Sequence, residues 1–240
     1  RLTDVTGVQT CALPISVTNT GVNWSAARPD GPALSAGRGE SMESVKLPAK
    51  FALKNGVEVL VRDMVRADEP AVFEFFRLLP LEDRHFLRND VTDPIRVHNF
   101  MIDDTHDRVR AVVAELDGRI VASAEIDRNH FGSMTHIGQL RVIIARELQH
   151  QGLGTILSRL LIADGVNAGI EKVLAETSTE NKAAMLALEK MRFRKEATLK
   201  LHVKDLAGRK HDLAVYSYDV SHIWDKMEAL VADYSPMREY

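Results

Sequence analysis

The sequence predicts an α/β (α+β) protein built on a single mixed, mostly antiparallel sheet flanked by helices. Three features carry that expectation. Between residues 57 and 220, β-rich runs and amphipathic helical runs intermix in the order β, α, α, β, β, β, α, β, α, β, β, with no internal repeat. Asp117-Gly118 joins two β-rich runs, and both turn positions of such a hairpin need φ > 0, which Asp and Gly tolerate. A further β-rich run, ending at Ala145, crosses a short polar turn into a helix entered through two glycines, Gly152 and Gly154.

Taken in order, Val57 to Arg62 reads as the first strand. Asp68-Glu69-Pro70 opens a helix, because acidic residues suit the positive end of the helix dipole and proline suits the first turn. Val72, Phe73, Phe75, Phe76 and Leu79 supply its apolar face until Pro80. A shorter helix follows from Leu81 to about Asn89. Residues 90–107 are poorly patterned, with Pro94 as punctuation, and read as loop with at most a short helical piece. The hairpin runs Arg108–Leu116 and Arg119–Asp127, and a third strand spans about Thr135–Ala145. Gly152–Ala168 is a helix with Ile156, Leu157, Leu160 and Leu161 on one side and Gly169 as its stop. Lys172–Thr177 is a short buried strand, and Asn181–Met191 a helix with Ala184, Leu188 and Met191 in a stripe. Phe193–Val203 and Asp212–Val220 are strands joined through Ala207-Gly208-Arg209. A last helix is expected from Ser221 to Ala232, packing Trp224, Met227 and Leu230 on the core.

Composition narrows the function classes. The chain has 240 residues, 45% hydrophobic and 27% charged, with a formal net charge of −3, which is ordinary for one globular core. Without a clustered basic surface, no general grip on nucleic acid is expected. No stretch approaches the length of a membrane-spanning helix, so no membrane partner is expected and the chain is placed in the cytoplasm. The single cysteine, Cys11, permits neither an internal disulfide nor a Cys-based zinc site. His106, His130 and His202 are scattered singly, so no metal is assigned.

Residues 1–41 differ from the rest: rich in Gly, Ser, Thr, Ala and Pro, without periodicity and without Lys, they read as a disordered or artefactual N-terminal extension. Val5 to Ile15, VTGVQTCALPI, resembles the translation of a sequencing-library adapter carried into a metagenomic gene model, which makes Met42 the expected start. Residues 42–240 are expected to form one domain with its core at 57–220.

The segment that carries chemistry is Val142 to Thr155. The first N–H groups of a helix have no intrahelical acceptor and sit at the positive end of the dipole, so this junction is an anion site. Glycines at 152 and 154 let phosphate oxygens approach the backbone, and a diphosphate is the natural ligand. Spacing rejects two rivals. No Lys-Ser/Thr pair follows as a P-loop requires, and the full G-x-G-x-x-G of a dinucleotide fold is absent.

Gln149-His150-Gln151-Gly152-Leu153-Gly154 resembles the Q/R-x-x-G-x-G/A signature of the GNAT superfamily of N-acetyltransferases. Asn181-Lys182-Ala183-Ala184, followed by Leu188 to Phe193, resembles that family's N-x-x-A…Y-E-K-x-G-F block. The resemblance implies a GNAT-like fold and an acyl-CoA co-substrate, most simply acetyl-CoA, whose acyl group passes to a small-molecule or peptide amine. Homodimerisation is common in such folds. It implies that backbone groups of Val142, Ile143 and Ile144 hold the pantetheine arm as an added strand would. N–H groups from Gln149 through His150, Gln151, Gly152, Leu153 and Gly154 to Thr155 then cradle the diphosphate. Asn181 binds the cofactor near pantetheine, caps its own helix, or does both.

The pattern breaks at the proton-transfer positions. The block's tyrosine, often the acid that reprotonates the thiolate, falls at Leu188, and its glycine at Arg192. The frequent strand glutamate falls near Gly138 or Gln139, where only Gln139 can position a water. His136 is expected on the same side of that strand as Gly138, with a suitable pKa for a base. Glu125 and Glu176 are further candidates, and Phe86, Arg88 and Asp90 are expected to wall the acceptor site. The missing tyrosine and glutamate keep open a second class: a non-catalytic acyl-CoA-binding sensor.

Overall fold

The protein is described by a computed structural model covering residues 45–84, 87, 91–102, 108–128 and 131–220. The expected extension at 1–41 and the helix from Ser221, with Trp224, Met227 and Leu230, lie outside the described residues. The strands are β1 (Ala49–Ala52), β2 (Glu58–Asp63), β3 (Arg108–Leu116), β4 (Arg119–Arg128), β5 (Ile137–Ile144), β6 (Lys172–Ser178), β7 (Arg194–Lys204) and β8 (Lys210–Asp219). The helices are α1 (Glu69–Leu78), α2 (Leu81–Arg84), α3 (Pro94–Ile102), α4 (Leu153–Asn167) and α5 (Lys182–Lys190).

Among the described residues one sheet runs β1-β2-β3-β4-β5-β6-β8-β7. Every neighbouring pair is antiparallel except β5–β6. The Asp117-Gly118 turn holds φ of 51° and 74°, as the tight hairpin requires, and closes the Leu116–Arg119 pair.

Three elements depart from expectation. The helix expected from Leu81 to about Asn89 is described as the four residues Leu81–Arg84, and Leu87 is not helical. β1 was not legible: four residues, with only Phe51 buried, are too short to show a period. Residues 90–107 contain a nine-residue helix, α3, because Pro94 opens it rather than interrupting it. The Asp93 carboxylate accepts the Ile95 N–H at 2.9 Å, and Val97 and Met101, one turn apart, turn to the core.

Register sorts the sheet into two faces. Val112, Ala114, Ala122, Ala124, Ile126 and Leu140 occupy one face and are buried beneath α4. Arg110, on the same face, reaches the α4 residue Asp164 at 2.7 Å. Leu153, Ile156, Leu157, Leu160 and Leu161 of α4 are buried here, each worth about 1.5–3 kcal/mol. α5 lies on this face too, since Tyr216 of β8 donates to Glu189 at 3.0 Å. The opposite face carries Arg62, Val113, Ser123, Glu125, Asp127, Gln139 and Arg141, and α1 packs there. No helix among the described residues is long and apolar enough to cross a membrane.

Candidate active site

β5 and β6 run parallel but share only three register pairs, Ile137–Lys172, Gly138–Val173 and Gln139–Leu174. Beyond Gln139, β5 stays paired with β4 as far as Ile144, while β6 stays paired with β8 as far as Ser178. The sheet therefore forks, leaving one backbone edge of Leu140–Ile144 without a strand partner among the described residues. The fork opens toward the carboxyl ends of both strands, where α4 and α5 begin. In open α/β sheets, ligands bind at such a parting of parallel strands.

The two helix starts at this mouth differ. Asn181 caps α5, its side chain accepting the Ala184 N–H at 3.0 Å. No side chain caps α4. The N–H groups of His150, Gln151, Gly152, Leu153, Gly154 and Thr155 donate to no group among the described residues. The loop is bent to expose them: His150 has φ of 62° and Gly152, the N-cap residue, φ of 92°. A side chain at 152 would be strained in that conformation. At Gly154 a Cβ would stand 3.1 Å from Ile144 Cδ1, so the helix start sits tightly against β5. Gln149 behaves differently from its neighbours: its N–H donates to Arg146 O at 3.2 Å, and its side-chain amide to Ile144 O at 3.2 Å. It braces the turn.

On the α1 face, near the base of the fork, Glu125 and Asp127 share one guanidinium nitrogen of Arg141, at 2.8 and 2.5 Å. The Glu125 side chain is 8% exposed, that of Asp127 14% and that of Arg141 34%. Burial works against the arginine's charge, but the bonds it donates to Glu125 and then Asp127, with their negative charges, outweigh it and hold its pKa above the ordinary value. Gln139 sits on this face opposite Asp127, and Glu176 follows by two positions the last residue of β6 that pairs with β5. Gly138 points the other way: a Cβ there would meet Ile170 Cδ1 at 2.6 Å and Ile126 Cδ1 at 3.1 Å. That position has no room for a carboxylate, which is the physical reason for the glycine.

His136 lies in the exposed turn before β5, not on the strand, so the expectation that it shares a strand face with Gly138 is corrected. Its carbonyl accepts the Glu171 and Lys172 N–H groups at 2.8 and 3.1 Å, which puts it at the closed end of the fork. Leu188, at the family tyrosine's place, is buried in the core. Phe86, Arg88, Asp90, His106 and His130 lie outside the described residues, and among those described no group of metal-ligating side chains occurs. The sequence reading missed Arg141, although an arginine alternating with apolar residues on a central strand was the available signal. It also missed the pair between Arg146 and Asp83, at 3.2 Å, which ties the turn after β5 to α2.

On the other arm, His211 stands between Glu180 and Asp205, at 2.6 and 3.0 Å. The bond to Asp205, then that to Glu180, raises its pKa. Asp205 also accepts the Ala207 and Arg209 N–H groups at 2.9 Å. Although burial of Asp205 opposes its charge, these bonds and that from His211 hold it well below the usual carboxylate range. The cluster fastens the β7–β8 turn to the segment leading into α5.

A single mixed sheet that forks at a parallel pair, with an uncapped helix start at the mouth, defines an α/β protein with a cleft whose mouth carries open backbone N–H groups. Residues 73–193, just over half of the chain, match the Acetyltransferase (GNAT) family, and the chain belongs to it. The fold is shared with the GNAT domain of S. lividans PAT: TM-score 0.60, 17% identity, 71% of this chain and 96% of that one. It is shared with a ribosomal-protein-alanine N-acetyltransferase from Brucella melitensis: TM-score 0.58, 23% identity, 67% and 99%. It is shared too with yncA from Salmonella typhimurium, solved with its cofactor acetyl-CoA: TM-score 0.57, 19% identity, 68% and 94%. No curated protein matches the sequence.

Proposed function

We propose that residues 42–240 form a cytoplasmic acyl-CoA-dependent N-acyltransferase, using acetyl-CoA and acting on a primary amine by direct attack in a ternary complex. The observation that carries this reading is the contrast between the two helix starts: α5 is capped, whereas the N–H groups at α4 are left open beside an unpaired strand edge. The diphosphate lies on the N–H groups from His150 to Thr155, with Gln149 bracing the loop. The pantetheine amides pair with the free edge of Val142, Ile143 and Ile144 in the manner of an added strand. Asn181 flanks that arm while capping α5.

The thioester then reaches the base of the fork, near Leu140 and Arg141. A neutral amine attacks the thioester carbonyl carbon, the C–N bond forms and the C–S bond breaks. A strand N–H steadies the oxygen's developing charge. The amine's proton leaves through a water oriented by the Gln139 amide toward Glu125, which Arg141 holds in place at 2.8 Å. His136, exposed at the closed end, is the weaker candidate. With Leu188 in place of an acidic side chain, the departing thiolate takes its proton from the water chain, which suits a thiol with a pKa near 8.5.

Thiol release from acetyl-CoA over a panel of amines tests the reading. Turnover should fall about a hundredfold in Glu125→Gln, less in Gln139→Ala, and hardly at all in His136→Ala. Tight CoA binding with no turnover on any amine would favour the non-catalytic sensor. A loss in His136→Ala equal to that in Glu125→Gln would refute the proton assignment.

A further inference from the structure

Lys54 lies in the turn between β1 and β2, outside the residues 73–193 matched by the family. The turn is fixed to the α4 loop, because the Lys54 N–H donates to Gln151 O at 3.1 Å. The side chain runs across the loop: its Cε and Cγ stand 3.7 and 3.9 Å from the place a Cβ on Gly152 would occupy. The ammonium is one bond, about 1.5 Å, beyond Cε. Among the described residues no carboxylate pairs with it.

A cation beside a helix start is repelled by the dipole and by the open N–H groups. The arrangement becomes favourable when an anion sits between them. We propose that Lys54 is a phosphate-binding residue, closing over the diphosphate of the CoA co-substrate from the side opposite the α4 N–H groups. The proposal rests on the acyl-CoA reading and deepens it. The β1–β2 turn then has a binding role: it carries a point charge to a loop whose other donors are backbone amides. A lysine suits that task because an ammonium on a flexible stem follows a phosphate without demanding one geometry.

Calorimetric titration of CoA and 3′-dephospho-CoA into the wild-type protein and Lys54→Met tests this. Methionine keeps the stem and the Lys54 N–H bond and removes only the charge. Affinity should fall about five- to tenfold for both ligands alike, as for one charge-assisted contact. The gap should narrow at higher salt, Lys54→Arg should recover most of it, and the melting temperature without ligand should not move. Unchanged affinity in Lys54→Met, with the wild type binding CoA, would overturn the Lys54 role and leave the acyl-CoA reading standing. A loss confined to CoA would overturn the diphosphate assignment in favour of the 3′-phosphate. Absence of binding by the wild type would overturn the underlying reading instead.

Discussion

Replacing Arg141 by methionine tests what holds the base of the fork together. The substitution keeps a long apolar stem but leaves Glu125 and Asp127, with side chains 8% and 14% exposed, without the guanidinium they share. Stranding a buried charge in this way costs about 3–5 kcal/mol when the site is fully dry. Arg141 is itself 34% exposed, so solvent reaches the cluster and about 2–3 kcal/mol is expected near neutral pH. For a domain of this size that lowers the melting temperature by roughly 4–12 °C. Urea denaturation at pH 7.5 measures the gap between wild type and variant. A gap below about 0.5 kcal/mol would refute the reasoning.

Three further outcomes follow from the geometry. Gly138→Ala forces a Cβ to 2.6 Å from Ile170 Cδ1 and should cost about 1–3 kcal/mol by denaturant unfolding. Adding Ile170→Val, which removes that atom, should restore part of the loss, and no restoration would mean the strain lies elsewhere. His211→Gln should destabilise the protein more at pH 6 than at pH 8.5. The raised His211 pKa makes its contribution complete below the unfolded value and lost as pH climbs through the folded one. Melting curves whose difference is the same at both pH values would contradict this. Asn181→Ala, by removing the α5 cap, should cost about 1 kcal/mol, and an unchanged melting temperature would show the cap to be redundant.

Much of the fold was legible because local chemistry determines it. Asp117-Gly118 announced its hairpin, and the elements from β3 to β8 fell within two residues of their expected ends. What stayed hidden depends on pairing between distant segments. The parting of β5 from β6 after Gln139, and the insertion of β8 between β6 and β7, leave no mark in either strand's own sequence. α3 is legible only as a short helical piece within a loop, because Pro94 reads as punctuation, although Asp93 before it is a capping signal. At the site, the Gly152 and Gly154 loop was legible from spacing. The Glu125–Arg141 bond, 16 positions apart, and the Lys54–Gln151 bond needed the sheet to bring them together.

The claim beneath this account is that the open amides at the start of α4 receive the diphosphate of coenzyme A. The most direct measurement is calorimetric titration of CoA into the wild-type protein and into Gly154→Asp, with the fold of the variant checked by its melting curve. A carboxylate at 154 brings a negative charge to the loop proposed to hold the phosphates, on a Cβ that would stand 3.1 Å from Ile144 Cδ1. The account predicts a clear binding isotherm for the wild type and at least tenfold weaker affinity in the variant, a loss of about 1.4 kcal/mol or more. Equal affinity in the two proteins, or no heat from the wild type with any CoA species, would contradict it.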